Sequence, residues 1–429
     1  MDAVVLALDT RPGARPSDRL AGLPLALRAV LTAAALGAAR VWLVLPERAE
    51  QEGLVLARDR RARRLALEVA CLGPDVPAAC RALAARVGAD AGAVPLLVVD
   101  AAHLHDPASL RALAPSQRGD TLGAAATRDG LACGALAARD GARLLGALGA
   151  SPGPDLRAAA RALAARGELT PVDVAAGWCA DAGTPDGRRE ATRRLFEACR
   201  KPVDGLVSRH LNRHLSLALS RRLVALPVTP NQLSIATFCL CLPAAWLAAE
   251  GGYGPTLAAA ALMQLNSVCD GVDGELARVR FEASRVGAWL DTVLDDLSNL
   301  VFYAALGLGA RQLPGGDLLA VSAWVAVGAG VLTAAQYYRE LAVLGSGDLY
   351  ALGWQLPAGT DLGARLVRAA ALVLKQDFFL LLFLLLALAG VLSYALPLVA
   401  TGALVTLAAA TARGLRRRRA LSAGGSSPR

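Results

Sequence analysis

The sequence predicts an α/β layered soluble domain over residues 1–199 and an all-α polytopic membrane domain of six transmembrane helices over 232–413. An interfacial linker at 200–231 joins them, and residues 414–429 are expected to form a basic disordered tail. Three observations predict this. The 429 residues are 55% hydrophobic, with a mean hydropathy of +0.43, more than an ordinary soluble protein carries. That apolarity is uneven: charges recur every few positions up to residue 200, and long apolar runs follow residue 231. Basic residues then collect in alternate connections between those runs.

In the first half, Val4–Leu8, Val41–Leu45 and Leu96–Asp100 are short apolar runs of the kind buried in a parallel sheet. Residues 24–39 and 78–88 carry helical patterns between or beside them, which gives the layered α/β arrangement. Asp100 closes its strand, where ligand sites of such sheets lie.

Six apolar segments follow at 232–249, 254–276, 286–310, 317–338, 377–394 and 396–412, most of them near the ~20 residues a bilayer-spanning helix needs. Gly251-Gly252, Pro314-Gly315-Gly316 and Tyr394-Ala395-Leu396-Pro397 break them. One set of connections holds Arg209, Arg213, Arg221, Arg222, Arg278, Arg280, Arg285, Arg339, Arg365, Arg368, Lys375, Arg413 and Arg416 to Arg419; the other holds only Arg311. The basic set therefore faces the cytoplasm, with both termini and the site described below. The expected location is the cytoplasmic (inner) membrane, multi-pass, with the lipid bilayer as a partner. In the linker, Leu206, Leu211, Leu215, Leu217 and Leu219 alternate with Arg209, His210, Arg213, His214, Arg221 and Arg222, the pattern of an amphipathic interfacial helix. His210 and His214 have metal-ligand spacing, but a solvated or lipid-facing surface explains them. Thr229-Pro230-Asn231 caps the first span.

Four aspartates carry the chemistry. Asp270 and Asp273 lie in one apolar segment, Asp291 and Asp295 in the next. Carboxylates are expensive in such segments and normally functional. Spacings of three and four put each pair on one helix face. Two helices presenting two carboxylates each can form an oxygen cage for hard divalent cations. The opposing explanation, a half-buried ion-pair network, meets a shortage of cations, since one Arg stands near four Asp.

The full spacing, D-x2-D-G-x2-A-R-x8-G-x3-D-x3-D, resembles the signature of the CDP-alcohol phosphotransferase (CDP-alcohol phosphatidyltransferase) family at every fixed position. The resemblance implies transfer of a phosphoryl-alcohol group from a CDP-alcohol donor to a polyol-phosphate or lipid acceptor, with release of CMP. It implies two ions, Mg2+ or Mn2+, on Asp270, Asp273, Asp291 and Asp295, with Asp295 as ligand or as the catalytic base. Asp273, Gly274, Ala277, Arg278 and Gly287 match the nucleotide-binding positions. Asp296 stands beside the pattern, in a supporting place. Arg339 and Arg285, with Arg365, are candidates for an anionic acceptor. A homodimer is expected from the resemblance alone.

The first half is similar to sugar-phosphate nucleotidyltransferases, which have a Rossmann-like layered sheet. A strand leads through a loop to Leu23-Pro24-Leu25, Asp100 is followed by His103 and Asp106-Pro107, and Trp178 to Asp186 includes Asp181 and Thr184-Pro185-Asp186. Asp100 and Asp181 would be its metal ligands. The loop from Ala7 to Arg15 departs from the family: only Gly13 remains, Asp9 stands where phosphate would bind, and no lysine follows. A degenerate domain that has lost cytidylyltransferase activity is expected. The two halves together, with the junction Lys201–Arg213 and Thr229–Gln232, resemble the bifunctional inositol-1-phosphate cytidylyltransferase/di-myo-inositol-phosphate-phosphate synthases. That favours CDP-inositol as donor and inositol 1-phosphate as acceptor. A phospholipid synthase using CDP-diacylglycerol, with an inert first domain, is the alternative; a non-enzymatic membrane scaffold is another.

The net charge of +9 could suggest nucleic acid, but aromatics are 4% and interleave with no basic run, so none is expected. The eight cysteines form no CxxC pair and are read as reduced thiols. The first residues lack a basic and apolar leader pattern, so no cleaved signal is expected. Arginine is used heavily, and the only lysines are Lys201 and Lys375, which suggests a composition bias rather than a function.

Overall fold

The computed structural model describes residues 1–47, 49–72, 75–87, 95–113, 122–127, 130–151, 155–173, 177–201, 204–352 and 375–423. The chain divides into two compact units, Met1–Glu197 and Ala198–Arg429.

In the first unit, β1 (Asp2–Leu6), β2 (Arg40–Leu45), β3 (Ala66–Cys71), β4 (Leu96–Asp100), β5 (Leu122–Thr127), β6 (Gly130–Ala138) and β7 (Leu169–Asp173) form one sheet, in the order β7-β5-β6-β4-β1-β2-β3. β1 pairs in parallel with β2 and β4, β2 with β3, and β5 with β7; β6 runs antiparallel to β4 and β5. The apolar runs of β1, β2 and β4 are buried, as strands covered on both faces must be. β1 begins two residues earlier than the apolar run suggests, because Asp2 N–H bonds to Pro95 O at 2.8 Å and its carboxylate pairs with Arg40 at 2.9 Å. The helix expected at 24–39 spans Leu25–Ala35 and is closed by Gly37 at φ 90°. The one expected at 78–88 spans Val76–Val87. With β2 on one side of β1 and β4 on the other, the sheet has its switch point where β1 and β4 end. A small antiparallel pair, His103–His105 with Cys179–Asp181, sets Asp181 opposite His103 beside that point.

In the second unit, a π-helical turn (Ser208–Asn212) leads into α1 (Arg213–Leu223). Then follow α2 (Pro230–Glu250), α3 (Tyr253–Val279), α4 (Arg285–Ala310), α5 (Gly316–Leu344), α6 (Gln376–Leu388) and α7 (Leu396–Ala423). The expected cap at Thr229 forms, and Ser284 supplies another. Thr229 Oγ1 accepts from Gln232 N–H and Gln232 Oε1 from Thr229 N–H, with Pro230 opening α2. Ser284 Oγ accepts from Gly287 N–H at 3.0 Å and starts α4. Small residues let the helices approach: Ala244, Ala248, Ala259 and Ala260 are fully buried in one core with Phe302 and Ala323.

Among the described residues, four helical segments are long and apolar enough to cross a membrane: Pro230–Glu250, Arg285–Ala310, Gly316–Leu344 and Leu392–Arg416. α3 has the length but carries Asp270, Asp273, Glu275 and Arg278 in its last three turns. α6 has 13 residues, about 20 Å of helix. The segment expected at 377–394 ends sooner because Gly390, at φ 73°, stops α6 before a 3-10 turn at Leu392–Ala395. The tail expected to be disordered from residue 414 is instead helical through Ala423. Its arginines are good helix formers, and extending an existing helix costs little.

Candidate functional site

The turn between α3 and α4 fixes how the four aspartates meet. Phe281 takes a left-handed conformation (φ 54°), rare for an aromatic residue, and lets the chain reverse. Arg280, expected as a basic loop residue, is buried. Its guanidinium donates to the carbonyls of Leu223, Val224, Leu226 and Val228, at the end of α1 and in the turn after it.

Asp270 on α3 and Asp291 and Asp295 on α4 come together, with one carboxylate oxygen of each within 4.8 Å of the others. Asp270 lies in hydrogen-bonding reach of Asp295, and Asp273 of Asp291. Asp273 is buried, and its carboxylate also accepts from Ser234 Oγ on α2 and from Gly274 N–H. No salt bridge reaches these four side chains among the described residues. Carboxylates left to one another in an apolar bundle need either protons or a cation from outside. An all-oxygen set on two rigid helices is what a hard divalent ion takes, so the donor set fits the implied metal.

Around this cluster the other predicted positions fall as follows. Arg278 Nη2 donates to Cys199 O at 3.3 Å, and its buried Nε has no partner among the described residues. Gly274 lies beneath that guanidinium: a Cβ there would meet Arg278 Nη1 at 3.2 Å. Ala277 is half-buried on the same helix. A Cβ on Gly287 would stand 3.0 Å from Asn231 Oδ1, so the glycine lets α4 approach the start of α2. Asp296 accepts from Tyr338 OH at 2.7 Å and ties α4 to α5. Arg285 and Arg339 are exposed, and Arg365 lies outside the described residues.

The pattern missed Glu275, a filler position in the motif. It is fully buried and accepts from Arg213 (2.8 Å), Ser216 Oγ (2.7 Å) and Ser220 Oγ (2.6 Å). Arg213 also grips Asp204 through two bonds of 2.9 and 3.0 Å. Burial works against the Arg213 charge, but Asp204 and Glu275 outweigh it and hold the guanidinium protonated. Ser216 and Ser220, one turn apart on an otherwise amphipathic helix, were the available signal. His210 and His214 are exposed, as expected for a surface.

In the first unit, Asp100 and Asp181 are brought to one place, each bonded to a basic side chain of the protein. His103 Nδ1 bonds Asp100 Oδ2 at 2.7 Å. Arg11 spans two carboxylates: Nη1 and Nη2 reach Asp181 at 3.1 Å each, and Nε and Nη2 reach Asp9 Oδ2 at 2.9 and 2.6 Å. Burial alone would raise the Asp181 carboxyl, but Arg11 and Gly183 N–H hold it below the usual range. The loop is pinned again by Arg188, which donates to Gly13 O and to Arg19 O. Asp9, which in sequence only threatened to repel phosphate, is thus neutralised from within.

Residues 227–414 match the family model of CDP-alcohol phosphatidyltransferases. A bifunctional IPC transferase and DIPP synthase of Aquifex aeolicus (strain VF5) is 38% identical over 147 residues, 34% of this chain and 33% of that protein. A protein of the same name from Rubrobacter xylanophilus (strain DSM 9941 / JCM 11954 / NBRC 16129 / PRD-1) is 34% identical over 214 residues, 49% of this chain and 45% of the relative. The chain thus spans less than half the length of either curated relative. Among solved structures, the inositol-1-phosphate CTP transferase from T. maritima aligns with 46% of this chain and 96% of its own, at 13% identity and a TM-score of 0.36.

Proposed function

From the CDP-alcohol phosphatidyltransferase domain that the chain carries at residues 227–414, we propose that the protein moves a phosphoryl-alcohol group from a CDP-alcohol to an acceptor hydroxyl and releases CMP. The observation that carries this is the meeting of Asp270, Asp291 and Asp295 within 4.8 Å, with no salt bridge to them among the described residues. Two divalent ions, magnesium or manganese, held by Asp270, Asp273, Asp291 and Asp295 would neutralise the diphosphate and favour attack on phosphorus. Arg278, whose buried Nε has no partner among the described residues, offers its guanidinium to the donor diphosphate. Gly274, Ala277 and Gly287 leave room for the cytidine nucleotide against the helices. Asp295 takes the proton of the acceptor hydroxyl as its oxygen bonds to the phosphorus carrying the alcohol. The bond from that phosphorus to CMP breaks, and CMP leaves with the electron pair.

CDP-inositol and inositol 1-phosphate are the favoured pair. That choice rests on the junction at 201–213 and 229–232 and on the names of the curated relatives. We place α2 to α7 as six crossings of the cytoplasmic membrane, with both termini and the aspartates on the cytoplasmic side, in a homodimer. The first unit is assigned no nucleotidyl transfer, because Arg11 occupies Asp9 and Asp181, where metal and phosphate would have to sit.

The test is CMP release by the purified, detergent-solubilised chain with magnesium. CDP-inositol plus inositol 1-phosphate is compared with CDP-diacylglycerol plus inositol 1-phosphate or glycerol 3-phosphate. Release with the soluble donor alone is expected. Release with the lipid donor alone would move the protein to phospholipid synthesis, and silence with every pair in folded protein would sink the chosen alcohols.

A further inference from the structure

α3 is polar on two of its faces. Asp270 and Asp273 lie on the face that meets α4. Gln264, Ser267, Gly271 and Glu275, three or four residues apart, form a second stripe, turned to the π-helical turn and α1. The chain itself answers this second stripe. Gln264 Nε2 donates to Asn212 Oδ1 at 3.1 Å, and Asn212 Nδ2 donates to Ser267 Oγ at 3.0 Å. Glu275 accepts from Arg213, Ser216 and Ser220. Gly271 gives Arg213 its passage to Glu275. A Cβ there would stand 2.8 Å from Arg213 Nη1, with Ser216 Oγ and Glu275 Oε1 at 3.6 Å. The guanidinium therefore lies against the α3 backbone at the residue that follows Asp270.

α1 turns Ser216 and Ser220 inward and Leu215 outward, so its hold on α3 is largely directional hydrogen bonding rather than apolar packing. Directional bonds fix a rotation that apolar packing leaves softer. A carboxylate at the outer radius of a helix, about 5–6 Å, moves about 2 Å when the helix turns by about 20°. Ligand oxygens of a metal must keep their distances to about 0.2 Å. Glu275 stands five residues beyond Asp270 on the same helix, so what holds one sets the other. Replacing a buried ion pair by apolar side chains of similar volume is often neutral for stability. What this pair adds is a single geometry.

We propose that Arg213 is a positioning residue of the transferase site: bonded to Glu275 across Gly271, it fixes the rotation of α3 and with it the place of Asp270 and Asp273 in the cation cage. The assignment rests on the function proposed above. Arg213 acts through Glu275 and the helix and takes no part in the chemistry. Gly271 offers a second way to reach the same contact. Alanine suits a helix interior better than glycine, so Gly271→Ala keeps α3 helical while its methyl group pushes Arg213 off Glu275.

The experiment titrates Mn2+ into the full-length, detergent-solubilised chain by electron paramagnetic resonance, counting the ions that Asp291→Asn removes, and measures CMP release by the same proteins. Wild type, Arg213→Ala, Gly271→Ala, the double variant and Phe383→Leu are compared, each well below its own unfolding temperature. Phe383, buried in the helical core, controls for lost stability alone. Arg213→Ala and Gly271→Ala are each expected to weaken Mn2+ binding about tenfold or more and to lower kcat, whereas Phe383→Leu lowers only the unfolding temperature. Because Gly271→Ala acts by displacing Arg213, adding it to Arg213→Ala should cost no more than about twofold further. Wild-type Mn2+ affinity in Arg213→Ala, or an equal loss in Phe383→Leu, would make the network structural and overturn the proposal. Losses that multiply in the double variant would overturn it too. If wild type releases no CMP with any donor, the transferase function fails, and weakened Mn2+ binding in Arg213→Ala still supports the positioning role. Wild type that binds no Mn2+ at the aspartates refutes it.

Discussion

In the first unit Asp9 and Asp181 share the Arg11 guanidinium and Asp100 bonds to His103, whereas in the second Asp270, Asp291 and Asp295 face one another with no salt bridge among the described residues. Both clusters sit where their folds place ligand sites: one at the switch point of a sheet, the other where two helices diverge from a tight turn. What differs is where the compensating charge comes from. A carboxylate pair answered by a guanidinium of the same chain is complete, and a metal could enter only by displacing that guanidinium. Carboxylates crowded together with no ion pair of their own favour a cation from solution. Resemblance assigned metal ligands to both halves; side-chain pairing separates them.

The widest gap should appear on removing single carboxylates. Asp270→Asn, Asp291→Asn and Asp295→Asn are each expected to lower CMP release by about a thousandfold or more, since each removes a charge from the same cage. Asp100→Asn and Asp181→Asn should leave it within about twofold. EDTA should abolish release and magnesium or manganese restore it. Comparable losses from both sets would erase the distinction between the halves.

Next in size is the Glu275 network. Removing one partner of a buried, fully bonded ion pair leaves the other charge stranded, typically at a cost of about 3–5 kcal/mol. Arg213→Ala should therefore lower the thermal unfolding temperature of the detergent-solubilised chain more than Arg285→Ala, which removes an exposed arginine. Equal shifts would mean that the Arg213 charge is answered by solvent.

A weaker effect tests the first unit directly. With the membrane site disabled by Asp291→Asn, Mn2+ titration followed by electron paramagnetic resonance is expected to show no binding to Asp100 and Asp181. Adding Arg11→Gln vacates Asp9 and Asp181 and should create a weak site. A site already present before that second change would show that Arg11 does not hold metal out.

These contrasts also mark what the sequence could disclose. Asp270, Asp273, Asp291 and Asp295 were legible because helical periodicity turns spacings of three and four into one face, and apolar surroundings make each carboxylate conspicuous. The buried strands β1, β2 and β4 were legible from unbroken apolar runs. Glu275 was not, because its partners lie 55 to 62 residues away on another helix. Arg11 was not, because its tie to Asp181 spans 170 residues. The early end of α6 at Gly390 and the helical tail reflect local choices that hydropathy does not encode. Long-range charge pairing is a property of the fold, and only local periodicity is written in order along the chain.

The smallest effect concerns pH. Burial disfavours the Asp204 carboxylate, but the bonds from Arg213 and from Lys201 N–H outweigh it and hold its pKa below the usual range. A depressed carboxyl contributes stability that is full above its unfolded value of about 3.9 and is lost as pH falls through the folded value. Amide exchange across 204–213 should therefore show constant protection from neutral pH down to about 4 and lose it only below. Asp204→Asn should weaken that protection already at neutral pH. Because Arg213, and not an ion from solution, supplies the opposing charge, the acid threshold should not move with magnesium concentration. A threshold that tracks magnesium would place Asp204 with the aspartates of α3 and α4, and the division between carboxylates answered by the chain and carboxylates answered by solution would have to be redrawn.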